Sequence, residues 1–192
     1  ACNEIYAKPL ESVRGCDAYV IQTATSRVNE DFMELFIILD SLKRSFAQSI
    51  HVVIPHYGYA RQDRVATTRE PISARLIADL ISAAGAHHVI TINLHSDQEQ
   101  GFFNFPVDNL NSKKLFIDYF LRKKLKNVIV VAADTGAAKS AKRFADELSA
   151  ELAIIHKVRP AHNVSEVMHV VGDVTDKICI IYDDLIETAG TV

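Results

Sequence analysis

The sequence predicts an α/β protein of two units with mostly parallel sheets, the second unit cut short. Short apolar, β-branched runs alternate with longer helical patterns, which is the signature of βαβ units. Each chemically informative polar cluster follows one of the apolar runs, where ligands gather beyond the carboxyl ends of parallel strands. Composition permits this fold: among 192 residues, 48% are apolar and 23% charged, enough for a buried core and against disorder.

Strands are expected at Asp17–Thr23, Ile50–Pro55, His88–Leu94, Asn127–Ala132, Leu152–His156 and Lys177–Tyr182. Helical patterns lie between them at Glu30–Phe46, Ser73–Ala84, Ser112–Leu125, Ala137–Ser149 and Val164–Val170. In the first helix Phe32, Met33, Leu35, Phe36, Ile37 and Ile38 cover more than one face. That helix is expected to be buried between its sheet and a neighbour, within the core or at a subunit contact. An apolar loop gives way to a basic helix at Pro106–Asn111, which divides the chain into residues 1–110 and 111–192. The chain starts at Ala1 and stops at Val192, where a helix should follow a turn, so a fragment is expected.

A net charge of −3 gives no global basic field for nucleic acid, and none is expected as a partner. The apolar runs are too short for a bilayer, and the first residues lack a signal-peptide pattern, so no membrane association is expected. Cys2, Cys16 and Cys179 have no metal-type spacing, and Cys179 is expected in a buried strand. A disulfide framework is therefore not expected, which points to a reducing, cytoplasmic setting.

The most informative stretch is 178–192, where an apolar run ends in Asp183 and Asp184 and is followed by Thr188-Ala189-Gly190-Thr191. Backbone N–H groups and Thr hydroxyls at a strand-to-helix turn make a cradle for phosphate. Adjacent carboxylates can hold sugar hydroxyls or hydrated Mg²⁺, so a sugar phosphate suits the pair. The same residues also suit an ordinary turn and helix cap.

Arg61-Gln62-Asp63-Arg64, with Arg69 close behind, follows the second strand. Several guanidiniums in one loop suit a polyphosphate or a purine face, although a solvated charged loop looks the same in sequence. No Walker loop exists in the chain. His95 closes the third strand and Asp134 the fourth; both are candidates for a metal or its phosphates. His87 and His88 read as turn residues. Lys157 and Arg159, two apart in an extended segment, can point at one anion and offset charge on a transferring phosphoryl group.

Together these pieces resemble the ribose-phosphate diphosphokinase (phosphoribosyl diphosphate, PRPP, synthetase) family along the whole chain. The resemblance rests on the stretches 11–15, 59–64, 69–74, 98–103, 106–110, 163–168, 172–174 and 183–191. It implies two phosphoribosyltransferase-like (Rossmann-type) domains, the first lacking its initial strands, with Mg²⁺ as cofactor. It also implies homo-oligomers built from dimers, hexamers in the family, with a site shared between subunits. The reaction implied moves the diphosphoryl group of ATP to the C1 hydroxyl of ribose 5-phosphate, releasing AMP.

On that resemblance Arg61, Gln62, Asp63 and Arg64 hold ATP, joined by Cys2, Asn3 and Glu4. His95 and Asp134 attend Mg²⁺, and Lys157 and Arg159 belong to a catalytic loop. Arg159, Asp183, Asp184, Glu187, Thr188, Ala189, Gly190 and Thr191 bind ribose 5-phosphate. Cys2, Asn93, Asn104, Val158 and Glu187 depart from the family's pattern. Those departures motivate an alternative, a non-catalytic regulatory subunit of the same family. A phosphoribosyltransferase acting on a base is a further alternative, in which the arginine loop would have no purpose.

Overall fold

The computed structural model describes residue 2, residues 4–158 and residues 167–185; of 157, 158, 167 and 168 it describes the backbone alone. The chain divides into two compact units, Ala1–Asn111 and Ser112–Val192.

The first unit runs β1 (Asp17–Ile21), α1 (Val28–Arg44), β2 (Ser49–Ile54), α2 (Ser73–Ala84), β3 (His88–Ile92), a 3-10 turn (Asp97–Phe102) and β4 (Val107–Leu110). Its sheet has the order β1-β2-β3-β4, all parallel. Alternation sends Ile50, Val52 and Ile54 of β2 to one face, where they share a core with Leu35 and Leu39 of α1 and Ile77, Ala78 and Ile81 of α2. Acidic Glu30 and Asp31 open α1 and basic Lys43 and Arg44 close it, matching the helix dipole. The helix buries one stripe, Phe32, Leu35, Leu39 and Leu42, whereas Met33 is exposed. Its second apolar face, with Met33 and Ile37, borders a groove of about 550 Å³ that Glu4 and Ile5 also line.

The opposite face of this sheet carries a lateral polar row. Ser49 donates its hydroxyl to Asp17 at 2.5 Å and contacts His51 Nε2 at 2.9 Å. The Nδ1 atoms of His51 and His88 lie 3.1 Å apart, and His88 Nε2 is 3.3 Å from the Asp108 carboxylate. Tyr19 stacks on His51. His87 Nδ1 accepts the Ile50 N–H at 3.1 Å. His88 is therefore a strand residue tied into the sheet, not the turn residue its position suggested.

The second unit runs α3 (Lys113–Lys123), β5 (Val128–Ala132), α4 (Ala138–Glu147), β6 (Glu151–Val158), β7 (Val167–Val171) and β8 (Ile178–Tyr182). Its order is β7-β6-β5-β8, parallel except for the antiparallel β6–β7 pair. Phe144 of α4 is the centre of one core cluster, with Val130, Ala132, Ile117 and Ile180 around it.

Several expectations are corrected here. The helix expected over Val164–Val170 gives way to strand β7 across Val167–Val171. Its β-branched residues bond to β6 in register, and pairing overrides a short, ambiguous helical pattern. Cys179 is in β8 but exposed, because alternation buries Ile180 beside it and turns the thiol to the other face. The segment read as an apolar loop contains β4, which pairs with β3 despite the polar Asp108 and Asn109. The first three strands stop one or two residues short of their expected ends.

Candidate functional site

The arginine loop leaves the carboxyl end of β2 and is tied down before it reaches its cations. A Cβ on Gly58 would lie 2.5 Å from Val28 Cγ2 and 2.9 Å from Phe32 Cε2, so only glycine lets the loop press on α1. Buried Tyr57 donates its hydroxyl to the Ala74 carbonyl at 2.8 Å; burial and the charges of Glu99 and Asp79 push its ionisation upward and keep it a donor. The Tyr59 hydroxyl donates to Asn29 Oδ1. Gln62 is the hinge to α2: its side-chain oxygen accepts the Ser73 hydroxyl at 2.5 Å and its carbonyl the Ala74 N–H at 3.2 Å. Arg61 and Arg64 are exposed and Asp63 is half-buried.

Beyond Arg64 the chain closes on itself. Glu70 Oε2 accepts the N–H groups of Ala66 at 3.0 Å and Thr67 at 2.8 Å, and Oε1 accepts the Thr67 hydroxyl at 2.7 Å. The Thr67 hydroxyl and N–H hold the Glu70 carboxyl below its ordinary range. Sequence reading did not single out Glu70. The Thr-x-x-Glu spacing of 67–70 was the available signal.

His95 follows β3 on a loop fixed from behind. Asn93 adopts a left-handed backbone (φ 52°) and donates its N–H to the Leu110 carbonyl at 2.9 Å. The Leu94 N–H reaches Asn109 Oδ1 at 3.1 Å, and the Ser96 N–H reaches Glu99 Oε1 at 2.8 Å. His95 stands exposed between these anchors. Cys2 and Glu4 are exposed at the start of the chain, as is Asn104 after the 3-10 turn.

In the second unit the carboxylates gather at two strand ends. Ala132 of β5 pairs with Tyr182 of β8, and the Ala133 N–H bonds the Tyr182 carbonyl at 3.1 Å, so Asp134 and Asp183 leave adjacent strands together. Asp134 Oδ1 accepts the Ala137 N–H at 2.8 Å, which closes the turn that leads into α4. Asp183 is half-buried, and its Oδ1 accepts the Asp184 N–H at 2.9 Å. Burial first, then Asp184 and the charge of Asp134, hold its carboxyl above the ordinary range.

Crowded carboxylates of this kind gain from a nearby cation. Among the described residues no three His, Cys, Asp or Glu side chains converge as a ready-made metal cage. Mg²⁺ takes one or two carboxylates and fills its other positions with water and phosphate, so these hard oxygens still fit it.

His95 belongs to the first unit and Asp134 to the second. The backbone of Lys157 sits in β6 opposite Met168. Asn3, Arg159, Glu187, Thr188, Ala189, Gly190 and Thr191 lie outside the described residues. No helix among the described residues is long and apolar enough to cross a membrane.

Two family models match the chain. Residues 1–85 match the N-terminal domain of ribose phosphate pyrophosphokinase, and residues 108–192 match the phosphoribosyl transferase domain. A ribose-phosphate pyrophosphokinase of Clostridium perfringens is 51% identical over 192 residues, covering 98% of this chain and 60% of the relative. One from Oceanobacillus iheyensis is 52% identical over 182 residues, covering 95% of this chain and 57% of the relative. The crystal structure of phosphoribosylpyrophosphate synthetase from Mycobacterium smegmatis superposes with a TM-score of 0.92 at 44% identity, over all of this chain and 62% of that one. The chain thus spans about 60% of the length of these curated relatives.

Proposed function

The chain belongs to the ribose-phosphate pyrophosphokinase family, and we propose that the protein transfers the diphosphoryl group of ATP to the C1 hydroxyl of ribose 5-phosphate. The C1 hydroxyl oxygen bonds the β-phosphorus and releases its proton to solvent, the bond from that phosphorus to the bridging α-phosphate oxygen breaks, AMP leaves with that oxygen, and PRPP is formed. Such an in-line displacement depends on positioning and charge neutralisation more than on covalent help from the protein.

On this reading Arg61 and Arg64, with Gln62, Asp63, Cys2, Asn3 and Glu4, hold ATP. Asp183 and Asp184 hold the ribose hydroxyls, and residues 187–191 cradle the 5-phosphate. Lys157 and Arg159 offset the charge that grows on the transferred group. Mg²⁺, held through Asp134 and His95, would supply further charge neutralisation on the phosphates. A homo-oligomer with a shared site and a cytoplasmic setting belong to the same proposal. The second is supported by three cysteines that are exposed and unpaired.

One observation supports the reading above the others: Asp134, Asp183 and Asp184 crowd the ends of adjacent strands, with Asp183 held above its ordinary range. Ligand sites of parallel sheets lie at such ends. The test is an assay of the full-length protein with ATP, Mg²⁺ and ribose 5-phosphate. AMP and PRPP should appear together; release of ADP, or AMP formation indifferent to ribose 5-phosphate, overturns the proposal. Lys157→Ala should lower turnover by about a hundredfold while substrate affinity changes far less.

A further inference from the structure

We propose that Glu70 is a positioning residue for nucleotide binding, its carboxylate closing residues 66–70 into a clasp that sets where Arg64 and Arg69 leave the loop. The inference rests on the ATP reading of the arginine loop and deepens it.

Four hydrogen bonds make the clasp. Three run into the Glu70 carboxylate, from the Ala66 N–H, the Thr67 N–H and the Thr67 hydroxyl at 3.0, 2.8 and 2.7 Å. The fourth runs back, from the Glu70 N–H to the Thr67 carbonyl at 3.4 Å. Arg69 turns the chain between them with a left-handed backbone, φ 73°. A non-glycine residue adopts that conformation at a cost, so surrounding bonds must hold it.

The clasp also answers a charge problem. A carboxylate on a loop with Arg61, Arg64 and Arg69 would ordinarily form a forked ion pair with a guanidinium and so compete with phosphate. Here donors of its own segment engage both oxygens of Glu70, and among the described residues it forms no ion pair with an arginine. Removing the carboxylate releases both the backbone turn and the spacing between Arg64 and Arg69.

The experiment uses the full-length protein with Glu70→Ala and Glu70→Gln. Glu70→Ala should raise the KM for ATP about tenfold, the factor for one lost hydrogen-bond network. Its kcat should stay within about threefold and the KM for ribose 5-phosphate should not move. Glu70→Gln keeps an acceptor oxygen for the two backbone N–H groups and should restore most ATP affinity. Calorimetric binding of a non-hydrolysable ATP analogue gives a readout separate from turnover. Analogue binding weakened about tenfold in Glu70→Ala sustains the proposal even if the wild type makes no PRPP, in which case only the reaction reading falls. An unchanged ATP affinity in Glu70→Ala, an equal rise in both KM values, or no rescue by Glu70→Gln overturns it.

Discussion

Asp134 and Asp183 leave adjacent, register-matched strands, and the charge of the first helps hold the proton on the second. That relationship sets a pH sign opposite to the usual one for a carboxylate. A native value raised above the unfolded one means that stability is lost as pH rises through that interval. Asp183→Asn should therefore melt at or above the wild-type temperature at pH 7, by a few degrees at most. The difference should disappear below the ordinary carboxylate range. Thermal melts of both proteins across that range are the check, and a variant less stable at pH 7 would contradict the assignment.

Asp31 has the opposite sign. The Thr25 hydroxyl and N–H, at 2.7 and 2.6 Å, hold its carboxyl below the ordinary range. Its contribution is complete above the unfolded value and is lost as pH falls through the lowered native one. Asp31→Asn should lower the urea midpoint at pH 7, and the gap to wild type should close in acid. A gap independent of pH would mean that shape rather than charge matters at this position.

Gly58→Ala should destabilise the first unit by about 1–3 kcal/mol, the ordinary range for overpacking. The new methyl would meet Val28 and Phe32 well inside contact distance. Denaturant titration measures the loss. Because Gly58 seats the arginine loop on α1, affinity for an ATP analogue should fall in the same variant.

Phe144→Ala should cost about 3–5 kcal/mol, as for other buried aromatic truncations. Phe144 is 2% exposed and its ring centroid lies 5.2 Å from that of Tyr182, the last residue of the strand that Asp183 follows. Hydrogen exchange should accelerate in β5 and β8 and remain unchanged in the first unit. Equal acceleration in both units would show that they unfold together.

Helix α2 was legible in sequence to the residue. Its apolar spacing is regular, and Gly85, at φ 120°, ends it where a side chain would be strained. Strand β7 was not, because five residues with three valines satisfy helix and strand patterns alike until β6 pairs with them. The candidate positions could be picked out in sequence because apolar runs turn polar just past strand ends, as at Asp134, Asp183 and His95. The support behind the arginines was harder to see. Gln62 reads in sequence as a ligand of the nucleotide, and folding adds a second task, since its side-chain oxygen also accepts the Ser73 hydroxyl. Glu70 was not singled out in sequence, and the turn at Ala66 and Thr67 supplies the hydrogen bonds that engage its carboxylate.

The two histidines on the open face of the first sheet act as a lock against slippage. Asp17, Ser49, His51, His88 and Asp108 come from four different strands, and each reaches its neighbour only in the alignment observed. Shifting any strand by one residue would drive a polar side chain into the oily layer beneath the helices and strand its former companions. Hydrophobic alternation alone tolerates a shift by two; this chain of mutual contacts does not. Fidelity of assembly, more than raw strength, is what those five side chains contribute.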